Sequence, residues 1–146
     1  MKLSEIQQDW SVDSKINEFE LGREAIKVPM LHSKYLTILS NTKLQLRKAD
    51  SDYYRLRQLK YRYYRGELTQ KELEDNEWNQ WQGNKPLKNE MDELLECDNK
   101  LIELQDKIEY FKTTIYTLEQ IIRSLNSRTW DIKSGIEWAK FTNGMM

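Results

Sequence analysis

An all-α fold is predicted by three observations. The 36 residues between Pro29 and Gly66, and the 48 between Pro86 and Gly135, contain neither glycine nor proline. Within both stretches apolar residues recur at alternating steps of four and three, the spacing of a bundle or coiled-coil seam. No segment shows a convincing strand alternation. The expected architecture is two long helices packed as a helical hairpin or coiled-coil-like bundle with shorter flanking helices. Residues 1–146 are expected to form a single helical domain.

The elements follow in order. Residues 1–28 are expected to hold short N-terminal helices, one capped by Ser4-x-x-Gln7 and another opened by Asp13 or Ser14 and running to about Lys27. The first long helix spans 29–65. Pro29 fits its first turn, where a missing N–H costs nothing, and Gly66 fits the position just past its end. Its seam reads Tyr35, Leu39, Thr42, Leu46, Ala49, Tyr53, Leu56, Lys60, Tyr63, with Thr42 and Lys60 as polar interruptions. Residues 67–86 form an acidic variable connection. In it Thr69-Gln70-Lys71-Glu72 reads as a capping box opening a short helix to about Gln82. The second long helix spans 87–126. Its seam runs through Leu87, Met91, Leu94 and Leu101, with Asp98 in one slot, then Leu104, Ile108, Phe111, Ile115, Leu118, Ile122 and Leu125. The three-residue step from Leu101 to Leu104 is a local stammer. A C-terminal aromatic segment, 128–142, carries Trp130, Ile132, Ile136, Trp138 and Phe141, with Gly135 as a weak point. Asn143 to Met146 reads as a frayed end.

Composition narrows the function. A single cysteine, Cys97, excludes an internal disulfide framework and any Cys-based zinc site, and a single histidine, His32, excludes a His-rich metal centre. Cys97 beside the seam reads as a small buried hydrophobe, and His32 as a packing or capping residue. Five glycines are too few for a phosphate-cradling loop. No nucleotide-binding, hydrolase or metalloprotease motif is present. The acidic pairs Glu74-Asp75 and Asp92-Glu93 read as solvated helix faces rather than metal ligands. No apolar run approaches the roughly 20 residues of a membrane span, and the start lacks a signal-peptide apolar region. A soluble, reduced, intracellular protein is expected, with no catalytic residue, metal or cofactor and no membrane partner.

The net charge of −1 conceals a strong asymmetry: residues 43–66 carry +6 and residues 67–106 carry −8. Five of the eight tyrosines fall inside the basic stretch. On a helix Lys48, Arg55 and Arg62 recur every seven residues on one face. Tyr54 and Tyr61 form an adjacent line, with Arg57 and Arg65 close by, and Lys60 falls within the same basic run. Single-stranded nucleic acid requires this mixture. Cations neutralise phosphates with release of counterions, and aromatic faces accept any base by stacking. The competing reading makes Tyr53, Leu56 and Tyr63 seam residues and pairs the arginines with the acidic segment. The two are compatible, since one tyrosine line can be core while the other faces a ligand.

The seam through Ile108, Phe111, Ile115, Leu118, Ile122 and Leu125 also has two readings: packing on the first long helix, or building an oligomer. Trp130 and Trp138 are large apolar groups for a chain end, and a subunit contact accounts for them. An oligomer multiplies weak basic patches into avid binding. A helical scaffold or virion component without a nucleic-acid role explains the heptads equally well, but not the interleaved tyrosines and arginines.

Four stretches carry a family likeness: Asp13-Ser14-Lys15-Ile16, Pro29-Met30-Leu31-His32-Ser33-Lys34-Tyr35, Lys60-Tyr61-Arg62-Tyr63-Tyr64-Arg65-Gly66, and the run from Ile121-Ile122 through Leu125, Ser127-Arg128-Thr129-Trp130 and Ile132-Lys133 to Ile136-Glu137-Trp138-Ala139-Lys140-Phe141. In them the chain resembles the UvsY-type recombination mediators of tailed phages, especially those of phages infecting marine cyanobacteria. The stretches span nearly the whole chain in the expected order, and residues 67–100 resemble the family least. The resemblance implies a non-enzymatic factor that forms a homo-oligomeric ring and binds single-stranded DNA. It also implies two protein partners, a RecA-like phage recombinase and the phage single-stranded-DNA-binding protein, in the cytoplasm of the infected host. The family's basic DNA-contacting stretch matches Lys60 and Arg62 here, with Arg55 and Arg57 upstream.

Overall fold

The computed structural model describes residues 1–144. Among them it contains five helices and no strand: α1 (Leu3–Asp13), α2 (Leu21–Tyr64), α3 (Gln70–Asp75), α4 (Lys88–Glu96) and α5 (Asn99–Thr142). They pack as two compact units, one formed by residues 1–44 and 111–146, the other by residues 45–110. In each unit a stretch of α2 packs against a stretch of α5. Met145 and Met146, expected to fray, lie outside the described residues.

The N-terminal expectation needs correction. Ser4 does not cap; it lies inside α1, and Glu5 reaches back to the Lys2 N–H at 3.3 Å. Asp13 and Ser14 close α1 instead of opening a second helix. An Asx turn at Asn17, whose Oδ1 accepts from the Phe19 N–H at 3.0 Å, then leads into α2. Pro29 is therefore interior to α2, where it forfeits one backbone hydrogen bond, instead of sitting in the first turn.

The first seam is realised along its length: every one of its nine residues is buried or half-buried. Helix α2 ends where Gly66 was expected to end it. Gly66 has φ 71°, its N–H donates to the Tyr63 carbonyl at 3.0 Å, and the Glu67 N–H donates to Arg62 at 2.9 Å, which is a Schellman closure. The Thr69 box forms as read, with the Glu72 N–H on Thr69 Oγ1 at 3.2 Å and the Thr69 N–H on Glu72 Oε1 at 3.2 Å. Helix α3 nevertheless stops at Asp75, well short of Gln82. Glu77 takes φ 57° and the Trp78 N–H closes back on the Leu73 carbonyl at 2.9 Å.

The second long helix is displaced at both ends. Asp98 occupies its seam slot by breaking the helix. Its Oδ1 accepts from the Lys100 and Leu101 N–H groups at 3.0 and 3.1 Å, which caps α5. Cys97 becomes the exposed C-cap of α4 and is not the buried hydrophobe expected. Leu87 is exposed, and Leu95 is buried where Leu94 is only half so. At the other end α5 runs unbroken through Asn126-Ser127 and Gly135 to Thr142. The 3.6-residue turn drifts against a 3.5-residue seam, so the buried line moves to Leu118, Ile121, Leu125, Arg128 and Ile132.

The unit of residues 1–44 and 111–146 is built on Ile6, Leu31, Tyr35, Leu39, Leu118, Ile121 and Leu125, with Trp10, Ile38, Ile115 and Ile122 packed around them. A polar knot finishes it. Asp13 Oδ2 accepts from Lys34 Nζ and from the Tyr35 hydroxyl, both at 2.7 Å. Arg128, only 4% exposed, donates to the Asp13 and Ser14 carbonyls at 2.9 Å and so caps the C-terminal end of α1 with a positive charge.

Candidate nucleic-acid interface

The unit of residues 45–110 carries the basic aromatic stretch. Its core is Tyr64, Met91, Leu95 and Leu101, joined by Tyr53, Leu56, Tyr63, Trp81 and Leu94. The seam turns Tyr53, Leu56, Lys60 and Tyr63 inward, so residues on the far side of α2 must face solvent. Tyr54 is 69% exposed and Tyr61 39%. Lys48, Arg55 and Arg57 are exposed, and none of the three is in an ion pair among the described residues.

The remaining cations expected beside this face are engaged. The Lys60 side chain is 9% exposed, lies 3.1 Å from Asp98 Oδ2, and sits 4.2 Å from the centre of the Trp78 ring. The Tyr64 hydroxyl donates to the same Asp98 oxygen at 2.6 Å. Burial opposes the ionisation of Asp98 most strongly. The Tyr64 hydroxyl, the Leu101 N–H and Lys60 together outweigh it and hold the carboxyl below its ordinary range. Arg62 forms a bidentate pair with Glu72 at 2.8 and 2.9 Å. That pair first, and the Thr69 cap second, hold Glu72 below the usual carboxylate range. Arg65 is half-buried: its Nε lies 3.0 Å from Glu67, and its guanidinium lies 5.5 Å from the Tyr61 ring centre.

The eight expected contact residues therefore separate. Lys48, Tyr54, Arg55, Arg57 and Tyr61 share an open helix surface, Arg62 and Arg65 are half-buried in local ion pairs, and Lys60 is interior. A phosphate reaches Lys60 only by breaking its pair with Asp98. The role of Asp98 was missed by sequence reasoning, although a signal existed: the polar interruption of one seam, Lys60, carries the charge opposite to the interruption of the other. Trp78 and Trp81 were missed as well, and they wall the aromatic cluster around Tyr63 and Tyr64 at ring distances of 4.8–6.2 Å.

The expected oligomerisation and core residues also divide. Ile108, Leu118 and Leu125 are buried, Phe111, Ile115 and Ile122 are half-buried, and Trp130 and Trp138 are 69% and 66% exposed. Among the described residues no helix is long and apolar enough to cross a membrane.

The model of a family described as "Recombination, repair and ssDNA binding protein UvsY" matches residues 9–145. Three crystal forms of the bacteriophage T4 recombination mediator protein UvsY share the fold. Lattice type II gives a TM-score of 0.83 at 21% identity, covering 98% of each chain. Lattice type IV gives 0.81 at 19% identity, covering 97% of this chain and 99% of that one. Lattice type I gives 0.81 at 20% identity, covering 94% and 98%. No curated protein sequence matches the chain.

Proposed function

The chain belongs to the UvsY family, and from that premise we propose that it is a phage recombination mediator that binds single-stranded DNA without sequence preference. The observation that carries the proposal is the open surface of α2, where Lys48, Arg55 and Arg57, in no ion pair among the described residues, flank the exposed rings of Tyr54 and Tyr61. Cations on such a surface neutralise successive phosphates, and the rings stack on whichever bases lie between them. No bond chemistry is required of the chain. Binding and bending a strand weakens the grip of the phage single-stranded-DNA-binding protein and gives a RecA-like recombinase a place to nucleate its filament. The setting is the cytoplasm of the infected host. Self-association into a homo-oligomer, in the form of a ring, presents several such surfaces to one strand and multiplies a weak contact into a firm one.

The test is fluorescence anisotropy of a labelled single strand at several salt concentrations, with wild type and the double variant Arg55→Ala, Arg57→Ala. Both arginines are exposed, so the variant keeps its fold. Its affinity is expected to fall at least tenfold, and the salt slope to flatten by about 1.4 for two lost phosphate contacts. Unchanged affinity and slope would remove this surface from the DNA path.

A further inference from the structure

A cleft of about 310 Å³ opens beside this surface, within the unit of residues 45–110. It is lined by Tyr61 and Arg65 of α2, by Lys85 and Pro86 of the connection, and by Lys88, Met91 and Asp92 of α4. Three cations face one carboxylate. Lys85 and Lys88 are exposed, and neither is in an ion pair among the described residues. They are two of only four basic residues in the segment 67–106, whose net charge is −8. That acidic segment thus places half of its cations where the aromatic line of α2 passes. Arg65 Nη1 lies 3.4 Å from the Tyr61 hydroxyl, so the guanidinium and the ring stand together at the cleft wall. Pro86 and Met91 supply apolar surface.

We propose that this cleft is a nucleotide subsite for single-stranded DNA, supplied jointly by α2 and by the connection and first turn of α4. The inference rests on the single-strand-binding reading above and extends it to residues outside the basic stretch. A volume of this size is at the small end of ligand pockets and suits one nucleotide. The Tyr61 ring, with Pro86 and Met91, offers a base an aromatic and apolar surface. Lys85 and Lys88 neutralise the adjoining phosphates, while Arg65, paired with Glu67, stands at the wall beside the Tyr61 ring. Asp92 repels a phosphate and so biases the backbone toward the lysine side. A free phosphate ion uses the cations but gains nothing from the ring, which separates the two ligands experimentally.

The experiment compares full-length wild type, the double variant Lys85→Ala, Lys88→Ala, and the single variants Tyr61→Phe and Tyr61→Ala. The probe is a labelled oligothymidylate, titrated at several salt concentrations, with inorganic phosphate and thymidine monophosphate as competitors. The lysine variant is expected to bind several-fold more weakly, with a salt slope flatter by about 1.4. Tyr61→Ala is expected to lose about tenfold with its slope unchanged, while Tyr61→Phe stays near wild type. Thymidine monophosphate is expected to compete better than inorganic phosphate. A lysine variant with wild-type affinity and slope, or equal competition by the two small ligands, overturns the subsite and leaves the open surface of α2 standing. A wild type that does not bind the strand at all sinks both.

Discussion

Asp98 accepts three hydrogen bonds, from the Tyr64 hydroxyl and from the N–H groups of Lys100 and Leu101, and pairs with the Lys60 ammonium at 3.1 Å. One side chain thereby starts α5, anchors α2 and removes a lysine from the basic surface. Lys60→Met keeps the aliphatic stem and deletes the charge. It is expected to lower stability by about 3 kcal/mol, because a buried carboxylate loses its cation; urea unfolding at neutral pH measures this. A loss of DNA affinity in such a variant reports folding before it reports contact, so the two must be measured together. The same chemistry sets the pH range. Asp98 and Asp13 resist burial but are held below their ordinary 3.8 by their donors, so their contribution is present above that value and is lost as pH falls through the lower folded values. Tyr64 and Tyr35 are raised above 10.0, by burial first and by those carboxylates second. Their contribution is full below 10.0 and is lost as pH rises beyond it. The urea midpoint is expected to hold steady between about pH 4 and pH 10 and to fall on both sides. A midpoint unchanged at pH 2 would contradict this account.

At the scale of elements, two helices end by the same geometry with different residues. Gly66 closes α2 at φ 71°, and Glu77 closes α3 at φ 57°. The first was legible because glycine adopts that conformation freely. The second was not, because a glutamate gives no such signal and pays about 1 kcal/mol for the left-handed backbone. Exchanging the residue types is therefore expected to have opposite effects. Gly66→Ala should lower stability by about 1 kcal/mol, and Glu77→Gly should raise it by a similar amount, read as shifts of the thermal midpoint. The remaining boundary errors have related causes. A proline rule placed the start of α2 at Pro29, yet α2 begins at Leu21 and carries that proline in its interior, with a backbone hydrogen bond lost there. Asn126-Ser127 looked like a break, yet Arg128 and Ile132 continue the buried spacing and hold α5 together.

For the whole molecule, the exposed apolar groups matter most. In the unit of residues 1–44 and 111–146, Phe19, Ile26, Met30, Trp130, Trp138 and Phe141 are all between 57% and 87% exposed. Trp138 and Phe141 stack on each other with ring centres 5.8 Å apart and leave their outer faces open. Apolar area on this scale favours self-association. Replacing Trp138 and Phe141 by Ser is expected to reduce the mass measured by light scattering to that of smaller assemblies. Helix content by circular dichroism should stay the same, because neither ring is in the core. Single-strand affinity should fall with the mass, since avidity is lost while each surface is intact. A full-size assembly after both changes would place the subunit contact elsewhere.

Helix period, seam positions and the clustering of cations with tyrosines are local properties, and the sequence by itself determined them. The spacing that turns Tyr53, Leu56, Lys60 and Tyr63 inward also turns Tyr54, Arg55, Arg57 and Tyr61 outward, and no partner was needed to see it. Only the tertiary structure decided which cations remain available. Lys60 and Arg62 look the same in sequence as Arg55 and Arg57, but Asp98 and Glu72 reach the former pair and not the latter. Contacts between residues 38 and 10 positions apart along the chain, once formed in a partly or fully buried setting, neutralise a charge that local pattern counts as free. The same folding brought Lys85 and Lys88, members of an acidic segment, to the side of Tyr61, a proximity in space that their neighbours in sequence hide.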